Sequence, residues 1–319
     1  MDNKIPDSND IIAAAQRIAP YIHHTPVLNS QLINEYINAE VFFKCENFQR
    51  AGAFKMRGAS NAILMLNQNE IQNGVATHSS GNHAAALSLA ARNRGVKAFI
   101  VMPSNSSKVK VDAVKQYGGI ITFCEPIVRA REEMLAKVVS ETAAIEIHPY
   151  NNVRIIAGQA TAAKELIEQT EKLDIIMAPV GGGGLLSGTA LSTAYFSPNT
   201  VVIAAEPANA DDAWRSFTTG SIQPVSALHT IADGLRTSLG TITFPIIRDH
   251  VQEIITVEES LIIDAMRLIW TRMKIIVEPS SAVPLAALLK QKSKFKGQRI
   301  GIILSGGNVD LDQLPWNKI

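Results

Sequence analysis

The chain has 319 residues, of which 46% are hydrophobic and 18% charged, and its thirty Lys and Arg against twenty-nine Asp and Glu leave a net charge of +1. That length suggests about two domains at roughly 100–200 residues each, and the composition excludes a disordered chain or a coiled coil. The charge balance gives no footprint for nucleic acid or anionic lipid, and two cysteines, Cys45 and Cys124, are too few for a disulfide framework or a four-thiolate zinc site. The first ten residues hold no apolar run of signal-peptide length. Apolar stretches break well before the roughly 18 residues of a membrane span. The expectation is a cytoplasmic globular protein with no membrane or nucleic-acid partner.

Short β-rich runs alternate with longer amphipathic segments. In chain order, strands are expected at 41–46 and 75–78, then a helix at 82–94, a strand at 98–102, a helix at 109–117 and a strand at 120–123. A helix at 130–141 and a strand at 145–148 follow, then a helix at 157–169, a strand at 175–180 and a helix at 185–196. The series closes with strands at 201–206, 254–257 and 300–304 and a helix at 261–273. Most strands are continuous apolar runs, as parallel strands covered on both faces require. The fold class is therefore α/β, with two mostly parallel twisted sheets flanked by helices. A smaller domain is placed at 74–147, inserted into a larger one made of 1–73 and 148–319. No solenoid repeat or low-complexity tract interrupts the pattern.

In such sheets ligands bind beyond the carboxyl ends of strands, and the unusual residues fall there. Gly181, Gly182, Gly183 and Gly184 follow one strand and open a helix, where backbone can approach an anion and free N–H groups point at it. The spacing is neither a Walker A loop nor a full dinucleotide fingerprint, because Leu186 stands where a third glycine belongs. A phosphate is the natural guest, against a plain tight turn. Ser79-Ser80-Gly81-Asn82-His83 is a second strand-to-helix turn, suited to a carboxylate or simply to capping the helix.

Lys55, one of sixteen lysines, stands in the small, apolar setting of Gly52-Ala53-Phe54, which could desolvate its amine and make it a nucleophile toward an aldehyde. Ser305-Gly306-Gly307-Asn308 ends the last strand. Glu206, Asp211 and Asp212 crowd after another, either as ligands for a hard divalent cation or as acids favoured by a helix dipole. His23, His24, His229 and His250 have no metal-ligand spacing, and Lys290, Lys292, Lys294 and Lys296 read as a solvated run.

Together these segments resemble the fold type II pyridoxal phosphate enzymes, in the subgroup of serine racemases, serine/threonine dehydratases and threo-3-hydroxyaspartate ammonia-lyases. Further matches are Phe42-Phe43-Lys44-Cys45-Glu46, Gly58-Ala59, His148-Pro149, Gly158-Gln159, Asp233-Gly234, Arg248-Asp249 and Glu278-Pro279, in order along nearly the whole chain. The resemblance implies that Lys55 condenses with the cofactor aldehyde and acts as base on one face of the substrate Cα. It implies that Gly181–Gly184 hold the cofactor phosphate, that Phe54 packs on the ring, that Asn82 meets the ring hydroxyl and that Ser305 faces the pyridine nitrogen. Ser80 would be the acid/base group on the opposite face, which racemisation needs. Ser79, Ser80, Gly81, Asn82, His83 and Arg131 would bind substrate, with Arg131 also able to meet a second carboxylate. Glu206, the Ala210 carbonyl and Asp212 would hold magnesium, manganese or calcium.

Two positions depart from the racemase pattern: Ala53 stands where serine is common, and Tyr150 is more dehydratase-like. The chain stops soon after Asp310, so no feedback-regulatory C-terminal domain is expected. The implied function is serine racemisation with L-serine and L-threonine dehydration, ahead of threo-3-hydroxyaspartate ammonia-lyase and then catabolic threonine dehydratase. The family expectation is a homodimer acting on a small β-hydroxy amino acid. A two-lobed binding protein would need no Lys55, and a nicotinamide-dependent oxidoreductase would want a complete fingerprint.

Overall fold

The computed structural model describes residues 4–79, 81–106, 108–225 and 229–318. Helix α1 (Ser8–Ile18) begins where Asp7 and Asp10 satisfy each other's backbone N–H groups in a capping box. Then come β1 (Val27–Leu28), α2 (Gln31–Ile37), β2 (Glu40–Cys45), α3 (Lys55–Leu64) and the short α4 (Gln68–Ile71). The next series is β3 (Val75–His78), α5 (Asn82–Asn93), β4 (Ala98–Pro103), α6 (Lys108–Gln116), β5 (Ile120–Cys124), α7 (Val128–Thr142) and β6 (Ile145–Glu146). It is followed by α8 (Val153–Gln169), β7 (Ile175–Pro179), α9 (Gly184–Phe196), β8 (Val201–Pro207) and α10 (Asp212–Thr219). The chain ends through α11 (Thr243–His250), β9 (Glu253–Val257), α12 (Glu259–Met273), α13 (Pro279–Lys290) and β10 (Arg299–Leu304).

These strands make two sheets. One has the order β1-β2-β10-β7-β8-β9 and the other β5-β4-β3-β6. All pairs are parallel except β1 with β2. The architecture is the expected α/β type, with helices packed on parallel-rich sheets. The last strand, β10, inserts between β2 and β7, so Ser305 leaves the middle of the larger sheet beside the ends of β2 and β7. All five residues of β7 are buried, as a central parallel strand demands.

Element ends moved by a few residues. The run at 145–148 is a ladder strand only to Glu146, because Pro149 follows and cannot donate. Helix α13 carries no amphipathic period, being buried on nearly every side from Pro279 to Leu288. Two large clusters of buried aliphatic side chains cover the faces of the six-stranded sheet, and a third packs α3 and α5 against β3 and β4.

Candidate active site

The site is built from the turn before Lys55. Ala51 (φ 57°) and Gly52 (φ 71°) both lie in the left-handed region, which for the alanine costs roughly 1–2 kcal/mol. The end of β10 holds this turn from outside. Asn308 Nδ2 donates to Ala51 O at 2.8 Å, the Gly307 N–H to Gly52 O at 2.9 Å and the Phe54 N–H to Ser305 O at 2.9 Å. The chain then enters α3 with Lys55 as its first residue. Its amine donates to the Pro149 carbonyl at 2.8 Å. Part of the side chain remains accessible, yet burial of the ammonium brings the pKa down to about 8.

Pro149 leads directly to the glycine turn. A Cβ on Gly182 would overlap the Tyr150 ring, and one on Gly181 would lie 2.9 Å from Leu235 Cα. Gly183 has φ 88°, a conformation that side chains resist. The loop is therefore a backbone cradle walled by Tyr150 and by residues 234–235. It opens α9, whose first N–H groups receive no side-chain cap. Such a helix end, bare and free of Cβ atoms, fits a phosphate.

Beside Lys55, Ser305 is buried at the end of β10, its hydroxyl 3.1 Å from that of Ser281. Phe54 adjoins it through the Ser305 carbonyl. Asn82, first in α5, donates through Nδ2 to Glu278 at 2.8 and 3.1 Å and accepts from Asn308 Nδ2 at 2.9 Å. These bonds join the end of the four-stranded sheet to that of the six-stranded one.

Glu278, matched in the sequence only as part of Glu278-Pro279, has no role assigned to it there. Burial, with the charge of Asp233, pushes its carboxyl up to about 7. Its sequence signal was slight: an acid just before a proline that starts an apolar helix.

The second turn lies close by. The Ser79 N–H pairs with Val101 O, and the Ser79 hydroxyl accepts weakly from the Gly81 N–H at 3.4 Å. Ser80 lies outside the described residues. His83 is buried and donates through Nε2 to Ile147 O at 3.1 Å, while its Nδ1 has no partner among the described residues. Burial, helped by the charge of Lys55, holds its pKa well below the usual imidazole range. His148 accepts at Nδ1 from the backbone of Asn151 (2.9 Å) and Tyr150 (3.3 Å), and burial brings it down to about 4. Arg131, on α7, buries its Nε with no partner among the described residues, and its charge adds to the burial that holds the His78 pKa below the usual imidazole value.

Glu206 lies one residue before the end of β8 and accepts the N–H groups of Ala213 and Trp214, each at 2.8 Å. Both oxygens of Asp212 are buried and unpartnered among the described residues. Burial, reinforced by Asp212, raises Glu206 to about 9, and burial raises Asp212 to about 7. Among the described residues no group of three or more His, Cys, Asp or Glu side chains is arranged to hold a metal ion. A cation here would rest on two carboxylates, the Ala210 carbonyl and water, a donor set that suits a hard ion.

A desolvated lysine beside a bare glycine cradle and a buried serine can hold a phosphorylated aldehyde with an aromatic ring. A family model described as pyridoxal-phosphate dependent enzyme matches residues 18–306. The chain belongs to this family. As a pyridoxal-phosphate enzyme of fold type II, it is 53% identical to the beta-hydroxyaspartate dehydratase of Paracoccus denitrificans, covering 98% of this chain and 99% of that one. It is 50% identical to the serine racemase of Dictyostelium discoideum, covering 96% and 95%. The crystal structure of that racemase superposes with a TM-score of 0.91 over 96% of this chain and 99% of the other. Maize serine racemase does so at 0.95 with 46% identity, covering 99% and 97%.

Proposed function

We propose that this enzyme eliminates water from L-serine and L-threonine, giving a 2-oxo acid and ammonia, and that it also racemises serine. The observation that carries the reading is the Lys55 amine, desolvated and aimed at the Pro149 carbonyl between the glycine cradle and Ser305. Bound pyridoxal phosphate supplies an electron sink conjugated to Cα.

With its pKa near 8, Lys55 has a substantial neutral fraction at physiological pH and can take the Cα proton. The Gly181–Gly184 backbone anchors the phosphate, Phe54 packs on the ring, and Asn82, oriented by Glu278 and Asn308, addresses the ring hydroxyl. Ser305 meets the pyridine nitrogen with a neutral hydroxyl, which favours reactions whose electrons depart with a leaving group such as the β-hydroxyl. The turn at 79–83 with Arg131 receives the substrate carboxylate, and Ser80 serves the opposite face of Cα. Residues 74–147 form the smaller, mobile domain that covers the substrate. A divalent ion at Glu206, Ala210 and Asp212 neutralises the carboxylate pair. The enzyme acts as a cytoplasmic homodimer.

The unpartnered Nε of Arg131 favours one second reading, a dicarboxylic substrate. Threo-3-hydroxyaspartate would give oxaloacetate and ammonia, the guanidinium receiving the extra carboxylate. The similarity to the Paracoccus denitrificans dehydratase supports this alternative.

The test is a visible spectrum before and after borohydride, then oxo-acid release from L-serine, L-threonine and threo-3-hydroxyaspartate. The expected result is a near-visible band that borohydride abolishes and Lys55→Ala lacks. Activity with the two monocarboxylic substrates supports the main reading, whereas turnover confined to hydroxyaspartate selects the second. No band after adding pyridoxal phosphate would refute both.

A further inference from the structure

Arg57 lies two residues beyond Lys55 on α3. At about 100° per residue it points to the opposite side of the helix, away from the site and into the core. Its side chain is fully buried, and each of its five N–H donors is accepted. Nε and Nη2 reach the two oxygens of Glu46 at 2.7 Å each. Nη1 and Nη2 reach those of Glu165 at 2.7 and 2.8 Å, and Nη1 also meets Thr161 Oγ1 at 3.2 Å. Lys44 completes the cluster, its three donors on Glu165, Gln169 and the Thr25 carbonyl at 2.6–2.7 Å. Two cations balance two carboxylates.

Glu46 stands at the end of β2, while Thr161 and Glu165 stand on α8. The same two helices touch through backbone. A Cβ on Gly158 would lie 2.6 Å from Gly58 Cα and 2.7 Å from Arg57 O. The segment that leads into α8 carries Pro149, whose carbonyl receives the Lys55 amine. One helix thus carries the donor and the other follows the acceptor, so their register sets where the amine sits. Apolar side chains of similar volume often replace a buried ion cluster at no loss of stability. They would tolerate sliding, whereas a planar fork on two carboxylates fits a single register.

We propose that Arg57 is a positioning residue for Lys55: by locking the first turn of α3 to the end of β2 and to α8, its guanidinium fixes the Lys55 amine at the Pro149 carbonyl. The inference rests on the reading of Lys55 as the reactive lysine.

The experiment compares wild type, Arg57→Lys, Thr161→Val and Ile269→Ala, the last a core truncation on α12 that touches none of these groups. Steady-state kinetics are measured on the cofactor-loaded enzyme. On the cofactor-free enzyme, acetic anhydride labelling of Lys55 is followed against pH. A lysine at position 57 keeps the charge but has three donors where arginine has five. It is expected to lower kcat by about tenfold to a hundredfold, the order of a misplacement near 1 Å, with KM changed less than threefold. The labelling midpoint is expected to rise from near 8 as water reaches the amine.

Thr161→Val removes one acceptor, should fold, and is expected to move both readouts the same way by less. Ile269→Ala should lower the melting temperature without moving either. Unchanged kcat and labelling midpoint in Thr161→Val and in any folded Arg57→Lys would overturn the proposal, as would equal shifts in Ile269→Ala. Peptide mapping of the borohydride-fixed wild type separates the two levels. Attachment away from Lys55 overturns the reading of the site itself, whereas attachment at Lys55 with unaffected variants overturns only the role of Arg57.

Discussion

Two clusters of buried acids and bases are built on opposite rules. Beneath α3, Lys44, Glu46, Arg57 and Glu165 balance one another, and every donor of Lys44 and Arg57 has an acceptor. At the end of β8, Glu206 and Asp212 bring two acids together, and neither carboxyl oxygen of Asp212 has a hydrogen-bond partner among the described residues. The first cluster is complete within the chain. The second leaves its Asp212 oxygens unanswered among the described residues, as Arg131 leaves its Nε. Burial alone therefore does not mark a functional charge; burial without a partner does.

The comparison can be broken most severely at the saturated end. Glu46→Gln leaves Arg57 buried with one carboxylate, and is expected to cost about 3–5 kcal/mol, the usual effect of breaking a buried pair, read by urea unfolding. A loss below about 1 kcal/mol would mean that the cluster is slack.

At the unsaturated end, magnesium at a hundred times its dissociation constant should stabilise the wild type by about 2.7 kcal/mol. Asp212→Asn should show no such gain in calorimetry. Arg131→Met should raise the KM for threo-3-hydroxyaspartate by about tenfold to a hundredfold, the weight of one charged hydrogen bond, while altering serine kinetics less.

The smallest effect is the most diagnostic. Without cation, Asp212→Asn should be neutral or slightly stabilising, because it removes a buried carboxyl whose ionisation burial opposes. The sign of the pH dependence follows from the same pair. Burial holds the protons on Asp212 and Glu206 up to about 7 and about 9, whereas the unfolded chain releases them near 4. Their contribution is thus intact in acid and lost as pH rises from about 4 to about 9. Added magnesium should flatten this slope, and an unchanged slope would count against the cation site.

Much of the site was legible because its signals are local. Gly181–Gly184 after an apolar strand state a backbone need that no other residue meets. Lys55 was ambiguous in isolation, since one lysine differs from another only in its surroundings, and it gained meaning from the ordered set of motifs around it. The role of Glu278 was hidden for the same reason: the Glu278-Pro279 match reads as a helix start until Asn82, nearly two hundred residues earlier, is seen to donate to it. The Arg57 cluster had no signal, because its partners at Glu46 and Glu165 lie 11 and 108 residues away.

The sequence by itself determined the alternation of strands and helices, the parallel character of the sheets and the family, through periodicities and turn chemistry that operate over a few residues. The tertiary structure alone decided that β10 enters the sheet between β2 and β7, bringing Ser305 beside Lys55. It also decided which buried charges are answered and which are left open. Strand order and charge pairing depend on contacts between segments far apart in the chain, and local sequence patterns carry no record of that distance.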